Sequence, residues 1–282
     1  MPNRKDLPFL LSLLEDDSTT VRDHVREALL SFGPALEKEV QPFQTTLDDY
    51  CREILEEIFQ ELHQHSYGGT WMSWVGKGDN KEELENALIG LAGLEFEGQE
   101  ERIKDQLDDL AGEFLRSNHG CDIPSLMEFL FQEQGFRSPI DGEQNHLFDN
   151  LLYVLDHKEG SQVSLSCIAI LVGYRVGIEL DGISIQGNFM PISFEEHRMQ
   201  MYNAFNKGRP LARASVMYIE EAFRRNQVPP GEMKAQVHEI VLQVLRNTID
   251  ILHRKNRHRE AHEYVERYRA LVEQLREAGI VE

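Results

Sequence analysis

The chain has 282 residues, 41% of them hydrophobic and 28% charged, and a formal net charge of -20 at pH 7. This is enough length for two or three units with true cores, and the composition excludes a disordered chain. The acidity argues against nonspecific binding to nucleic acid or to an anionic membrane, since either needs a concentrated basic face. The basic residues Arg254, Lys255, Arg257 and Arg259 are interleaved with His258 and Glu260, as in a solvated turn. Three cysteines, Cys51, Cys121 and Cys167, form no disulfide framework and no paired metal spacing. Sparse thiols, with no secretory signal after Met1 and no apolar run of spanning length, predict a cytoplasmic protein.

In chain order, Leu7, Leu10, Leu11 and Leu14 predict a first helix, and Glu15-Asp-Asp-Ser18 a turn. Val21, Val25, Ala28, Leu29 and Phe32 then repeat at helical spacing until Gly33-Pro34 stops the run. The turn, with Val21-Arg22 and Ala28-Leu29, resembles one HEAT repeat, and a lone repeat must pack on a neighbour. A longer helix is predicted over 45–62, with Leu47, Cys51, Ile54, Ile58 and Leu62 as its apolar stripe. The glycines of 66–78 break the helical pattern around Trp71 and Trp74. Two readings are open for these indoles: an exposed docking point, as aromatics form at interfaces, or a plug buried between helices. The spacing before Lys77 is not that of a phosphate loop.

Helices follow around Leu84, Leu88 and Leu91, then Ile103, Leu107, Leu110 and Phe114. Asp122 is the expected N-cap of a helix that Pro124 starts. The loop Asn118-His-Gly-Cys-Asp122 offers at most three ligands and does not predict zinc. After Gly160 comes a helix with an apolar stretch of Leu165, Ile168, Leu171 and Val172, then strand candidates at 177–185, 189–194 and 199–202. A helix followed by antiparallel strands predicts an α+β core in a mostly helical chain. The tail is amphipathic helix again: Val237, Ile240, Val241, Val244 and Leu245, then Ala261, Tyr264, Tyr268 and Leu271. His258 and His262 share a face, but not in the protease order His-Glu-x-x-His.

Gly160-Ser-Gln-Val-Ser-Leu-Ser-Cys167, Gln186-Gly-Asn-Phe189 and Tyr202-Asn-Ala-Phe205 resemble the active-site segments of the transglutaminase-like superfamily, specifically its bacterial branch. Phe129 to Phe136 and Asn150 to Leu155 resemble the same branch. The resemblance implies a papain-like α+β core with a small antiparallel sheet, flanked by helical repeat-like segments. It divides the chain into a HEAT-like segment (1–65), a Gly/Trp linker (66–80), the core (81–212) and a tetratricopeptide-like tail (213–282).

In catalytic members a Cys stands two residues after the glycine, a His in a Gly-His-Phe context and an Asp in an Asp-Pro-Phe context. The matching positions here are Gln162, Asn188 and Asn203. Gln162 has no nucleophilic atom, Asn188 cannot take and return a proton, and Asn203 carries no charge to steady an imidazolium. The expectation is a non-catalytic protein that binds a protein partner, with no cofactor and no metal. Gln162, Asn188, Asn203, His157 at the pocket rim, Trp71 and Trp74 are the candidate binding residues. The alternative is a cysteine hydrolase or acyltransferase using Cys167 with a nearby His, although the apolar run around Cys167 suits an inert thiol. A third possibility is that the three amides bind a small ligand.

Overall fold

The computed structural model describes all residues except 1–5, 16–17, 33–35, 44–46, 49, 53, 60–69, 118–119, 141–142, 186, 196–197, 229 and 282. The expected Gly33-Pro34 stop, Asp16 and Asp17 of the expected turn, Leu62 of the expected stripe, His119 and Gln186 lie outside the described residues. The chain divides between Gly69 and Thr70 into two units.

In the first unit, α1 (Leu7–Ser12) and α2 (Thr19–Leu30) turn their apolar stripes inward. Leu7, Leu11, Val25 and Leu29 are buried with Leu36 and Val40 of α3 (Leu36–Val40) and with Cys51, Leu55 and Ile58. The helix expected from residue 45 starts later: residues 47–48 are not helical, and helix is present at 50–52 and 54–59. Asp48 sets that start, its Oδ1 accepting the Cys51 N–H at 2.7 Å and so satisfying an orphan donor of the first turn.

The second unit opens on a 3₁₀ turn, Thr70–Met72. Trp71 and Trp74 are 6% and 2% exposed, so the buried one of the two readings describes them. The Trp71 backbone lies on α4 (Lys81–Gly93) at Gly90, where a β-carbon would come within 2.4 Å of the Trp71 carbonyl oxygen. Next come α5 (Glu100–Arg116), α6 (Ile123–Glu128) with a π-turn at Phe129–Glu133, a 3₁₀ turn at His146–Asp149, and α7 (Leu151–His157). Asp122 caps α6 as expected, accepting the Ser125 N–H at 2.8 Å.

The centre of this unit is α8 (Gln162–Arg175), in which every residue from Val163 to Gly173 is buried. A helix that is apolar on all sides needs such surroundings. Its last turn is tied down by Arg175, which donates to both carboxylate oxygens of Glu85 at 2.6 and 2.9 Å and to Asp108 at 2.6 Å. A cation there also suits the C-terminal end of the helix dipole.

Four antiparallel strands follow in the order β1 (Asp181–Ile185), β2 (Asn188–Glu195), β3 (Arg198–Asn203) and β4 (Arg209–Pro210). The register pairs Ile185 with Asn188, Ile192 with Met201 and Tyr202 with Pro210. Side chains alternate between faces. Phe189 and Tyr202 join the main core with α8, whereas Ile183, Ile192, Met199 and Met201 form a separate cluster with Val216 of α9 (Arg213–Arg225).

The tail ends in α10 (Val237–Arg254) and α11 (His258–Glu277). A capping box between Gln236 and Glu239 starts α10. Val241, Leu245, Ala261 and Leu271 are fully buried in the same core as α4 and α8, so these helices complete that core. The fold is thus mostly helical with one small antiparallel sheet, the α+β class expected. No helix among the described residues is long and apolar enough to cross a membrane.

Candidate functional site

The chain enters α8 through a polar knot. Ser161 is the N-cap: its hydroxyl oxygen accepts the Ser164 N–H at 3.2 Å and donates to the Asp149 carboxylate. Ser164 in turn donates to the Phe148 carbonyl at 2.7 Å. Asp149 is 4% exposed, and burial pushes its carboxyl up to about 6 against the hydrogen bonds from Ser161 and Asn247. Asn150 caps α7, accepting the Tyr153 N–H at 3.2 Å, and donates to the Ala92 carbonyl at 3.4 Å.

Beside this knot, His146 is 8% exposed, with Arg257 donating to Nδ1 at 3.3 Å and Glu95 3.8 Å from Nε2. Burial lowers its pKa, outweighing the attraction of Glu95. Glu95 also accepts the Tyr264 hydroxyl at 2.6 Å. Sequence reasoning misses both Asp149 and His146. Phe148-Asp-Asn150 carries the sign of a helix cap, but the partners that make these groups special lie far along the chain.

Gln162 is the first residue of α8 and is half-buried. Its carbonyl accepts the Ser166 hydroxyl at 2.6 Å, and the same hydroxyl lies 3.4 Å from the Phe189 carbonyl. Ser166 therefore links the turn holding Gln162 to the strand that begins at Asn188. Asn188 is exposed at the β1–β2 hairpin. Asn203 ends β3, and its Oδ1 accepts from the Phe205 and Asn206 N–H groups at 3.0 and 3.2 Å. It is thus the cap of the 3₁₀ turn Ala204–Asn206, which packs on α8 as β2 does. The three positions lie on three mutually packed elements.

His157 is placed differently from the expected rim. It is exposed, stacks on the Tyr153 ring at 4.0 Å and lines a cleft of about 420 Å³ with Phe96, Arg102 and Asp156. Gln162, Asn188 and Asn203 do not line that cleft. The physical reason is the α7–α8 turn: Lys158 takes φ 60°, and the His157 Nδ1 bonds back to the Tyr153 carbonyl at 2.9 Å, holding the ring along α7. Cys167 is fully buried, and burial, reinforced by Asp149, drives its thiol far above the usual range. Burial of this kind disfavours the thiolate, the form in which a cysteine is nucleophilic. Among the described residues, His258 and His262 join no cluster of three metal-ligating groups.

This central buried helix followed by a small antiparallel sheet defines an α+β core, and the model of the transglutaminase-like superfamily matches residues 101–254. The chain belongs to that superfamily. It is also similar to a UPF0162 protein of Xylella fastidiosa strain 9a5c, 26% identical over 226 residues that cover 74% of this chain and 80% of the relative. A UPF0162 protein from strain Temecula1 is 24% identical over the same shares. No solved structure matches.

Proposed function

We propose that the chain is a non-catalytic transglutaminase-like protein that acts as a protein-interaction or regulatory scaffold. The observation that carries this reading is the trio Gln162, Asn188 and Asn203, read as occupying the Cys, His and Asp positions of catalytic relatives. None of the three amides supplies a nucleophile or a proton shuttle at neutral pH. The role of Asn203 as a turn cap gives that residue a structural purpose without chemistry. The burial of Cys167 weighs against the hydrolase or acyltransferase alternative. We further read 1–65 as a HEAT-like segment and 213–282 as a tetratricopeptide-like tail, both surfaces on which repeat proteins bind others, in a cytoplasmic protein.

The test is an amine-incorporation and peptidase assay on three proteins: the wild type, Cys167→Ala, and a variant carrying Gln162→Cys, Asn188→His and Asn203→Asp. Turnover is expected in the restored variant alone. Wild-type turnover that Cys167→Ala abolishes would reverse the assignment.

A further inference from the structure

The sheet face turned away from α8 holds an opening that the scaffold reading leaves unused. Between β2, β3, α9 and the segment leading to α10 lies a half-open cavity of about 520 Å³. That volume is in the range of ligand pockets, which are mainly apolar with a few placed polar groups. Its apolar lining is Phe194, Met199, Val228 and Met233. Met190 and Met201 pack in the cluster beneath it. Methionine is unbranched and polarizable, so a surface built from it reshapes around different side chains.

The charged lining has one sign in excess. Arg198, Arg213 and Arg224 face the cavity, and Glu220 is the single carboxylate among the described lining residues. Glu220 is already held: Arg213 donates to both its oxygens at 2.8 and 3.3 Å, and the Met199 N–H donates to it at 3.0 Å. Arg224 pairs with Glu221 on the outer side of α9, with 75% of its side chain exposed. Arg198 is exposed at the start of β3. A cationic rim over an apolar floor stands out in a chain of net charge -20. The cations are at the solvent edge, where they meet charges of a bound chain and are not enclosed around a small anion.

We propose that this cavity docks an acidic amphipathic segment of a protein partner, with one or two apolar side chains on the methionine floor and carboxylates on Arg198 and Arg224. The proposal rests on the interaction reading above and names the partner's chemistry. The apolar floor supplies the anchoring pocket, and the rim arginines, complementary in charge to the segment, steer it and fix its register.

The probe is a short fluorescein-labelled peptide in which Glu alternates with Leu and Phe, followed by anisotropy on the full chain at low and at physiological ionic strength. Binding that weakens with salt is expected. Arg198→Glu with Arg224→Glu should weaken it roughly tenfold or more, and Met233→Glu should do the same from the apolar side. Circular dichroism on each variant separates lost binding from lost folding. The proposal is overturned by no binding to the wild type, by equal binding of the peptide with Gln in place of Glu, or by binding indifferent to both sets of substitutions. It is equally overturned if decanoate occupies the cavity and the peptide does not. Leu115→Ala, on the exposed side of α5, should leave peptide binding unchanged, and loss in that variant would overturn the assignment to this cavity. An active wild type in the turnover assay would remove the scaffold reading without touching the peptide result.

Discussion

The two faces of the sheet are made by the same strands and packed by opposite means. On the α8 side, Phe189 is fully buried and so close to Gly182 that a β-carbon there would lie 2.1 Å from its ring. The Ser166 hydroxyl reaches the Phe189 carbonyl through that packing. On the α9 side, flexible methionines join Ile183 and Ile192 in the cluster, and Val216 is the only fully buried side chain that α9 contributes among the described residues. Alternation along each strand thus gives one rigid face and one adaptable face. The open cavity lies on the adaptable side.

The largest expected effect tests that contrast in packing. Phe189→Ala should cost about 3–5 kcal/mol, because a rigid surround cannot collapse into the space. Met199→Ala, also buried, should cost only about 2 kcal/mol, the low end for such truncations. Urea unfolding of the full chain measures both. Equal costs would break the distinction between the faces.

The next effect lies at the entrance to α8 and depends on pH. Asp149 ionises at about 6 when folded against 3.8 ordinarily, so the folded state holds its proton where the unfolded chain has released it. Stability from this group therefore rises as pH falls from 7 to 4, by about 3 kcal/mol. His146 has the opposite sign. Its folded pKa is lowered from 6.5, so the unfolded chain gains the proton first and stability is lost as pH falls through that value. In the wild type the two slopes oppose each other. Asp149→Asn should leave a chain that loses stability on acidification from pH 7 to 5, and His146→Asn one that gains it. Thermal melts across that window decide, and two parallel profiles would mean that neither group titrates as its burial implies.

Smaller again is Gly182→Ala. Its β-carbon would be forced against the Phe189 ring, an overpacking cost of about 1–3 kcal/mol. Combining it with Phe189→Leu should recover part of the loss, since the obstructing ring is then gone. No recovery in the double variant would show that the close approach is not what requires the glycine.

Much of this architecture is legible in the amino-acid sequence. The apolar stretch through Leu165, Ile168, Leu171 and Val172 announces a buried helix, and the short apolar runs after Gly177 and from Phe189 to Phe194 announce strands. Asp122 is legible as a cap because capping acts over three residues. What does not show is long-range. Nothing near His146 points to Arg257 or Glu95, and nothing near Asp149 points to Asn247, since Arg257 and Asn247 arrive with α10 and α11 and Glu95 with the segment after α4. Closeness in sequence puts His157 beside Gln162, but the left-handed Lys158 turn carries the chain away between them. The methionine-floored cavity is invisible for a related reason: Met190, Met199, Met201 and Met233 come from three segments and form a surface only after the sheet is assembled.

Asn203 offers the smallest effect and bears most directly on what the candidate site has become. Its side-chain oxygen accepts two backbone N–H groups at the start of the 3₁₀ turn. Removing such a cap costs about 1 kcal/mol, as Asn203→Ala should show in urea unfolding. Asn203→Asp keeps the accepting oxygen and should stay within about 0.5 kcal/mol of the wild type, because aspartate and asparagine cap almost equally well. The two substitutions separate structure from chemistry at one position. If alanine destabilises and aspartate does not, an acid would satisfy the turn as well as the amide does. The amide is then not required by folding, and the restored triple variant can be judged on turnover alone. If aspartate destabilises as much as alanine, the surroundings of β3 reject a charge there, and an inactive triple variant would report that rejection and not the absence of a nucleophile.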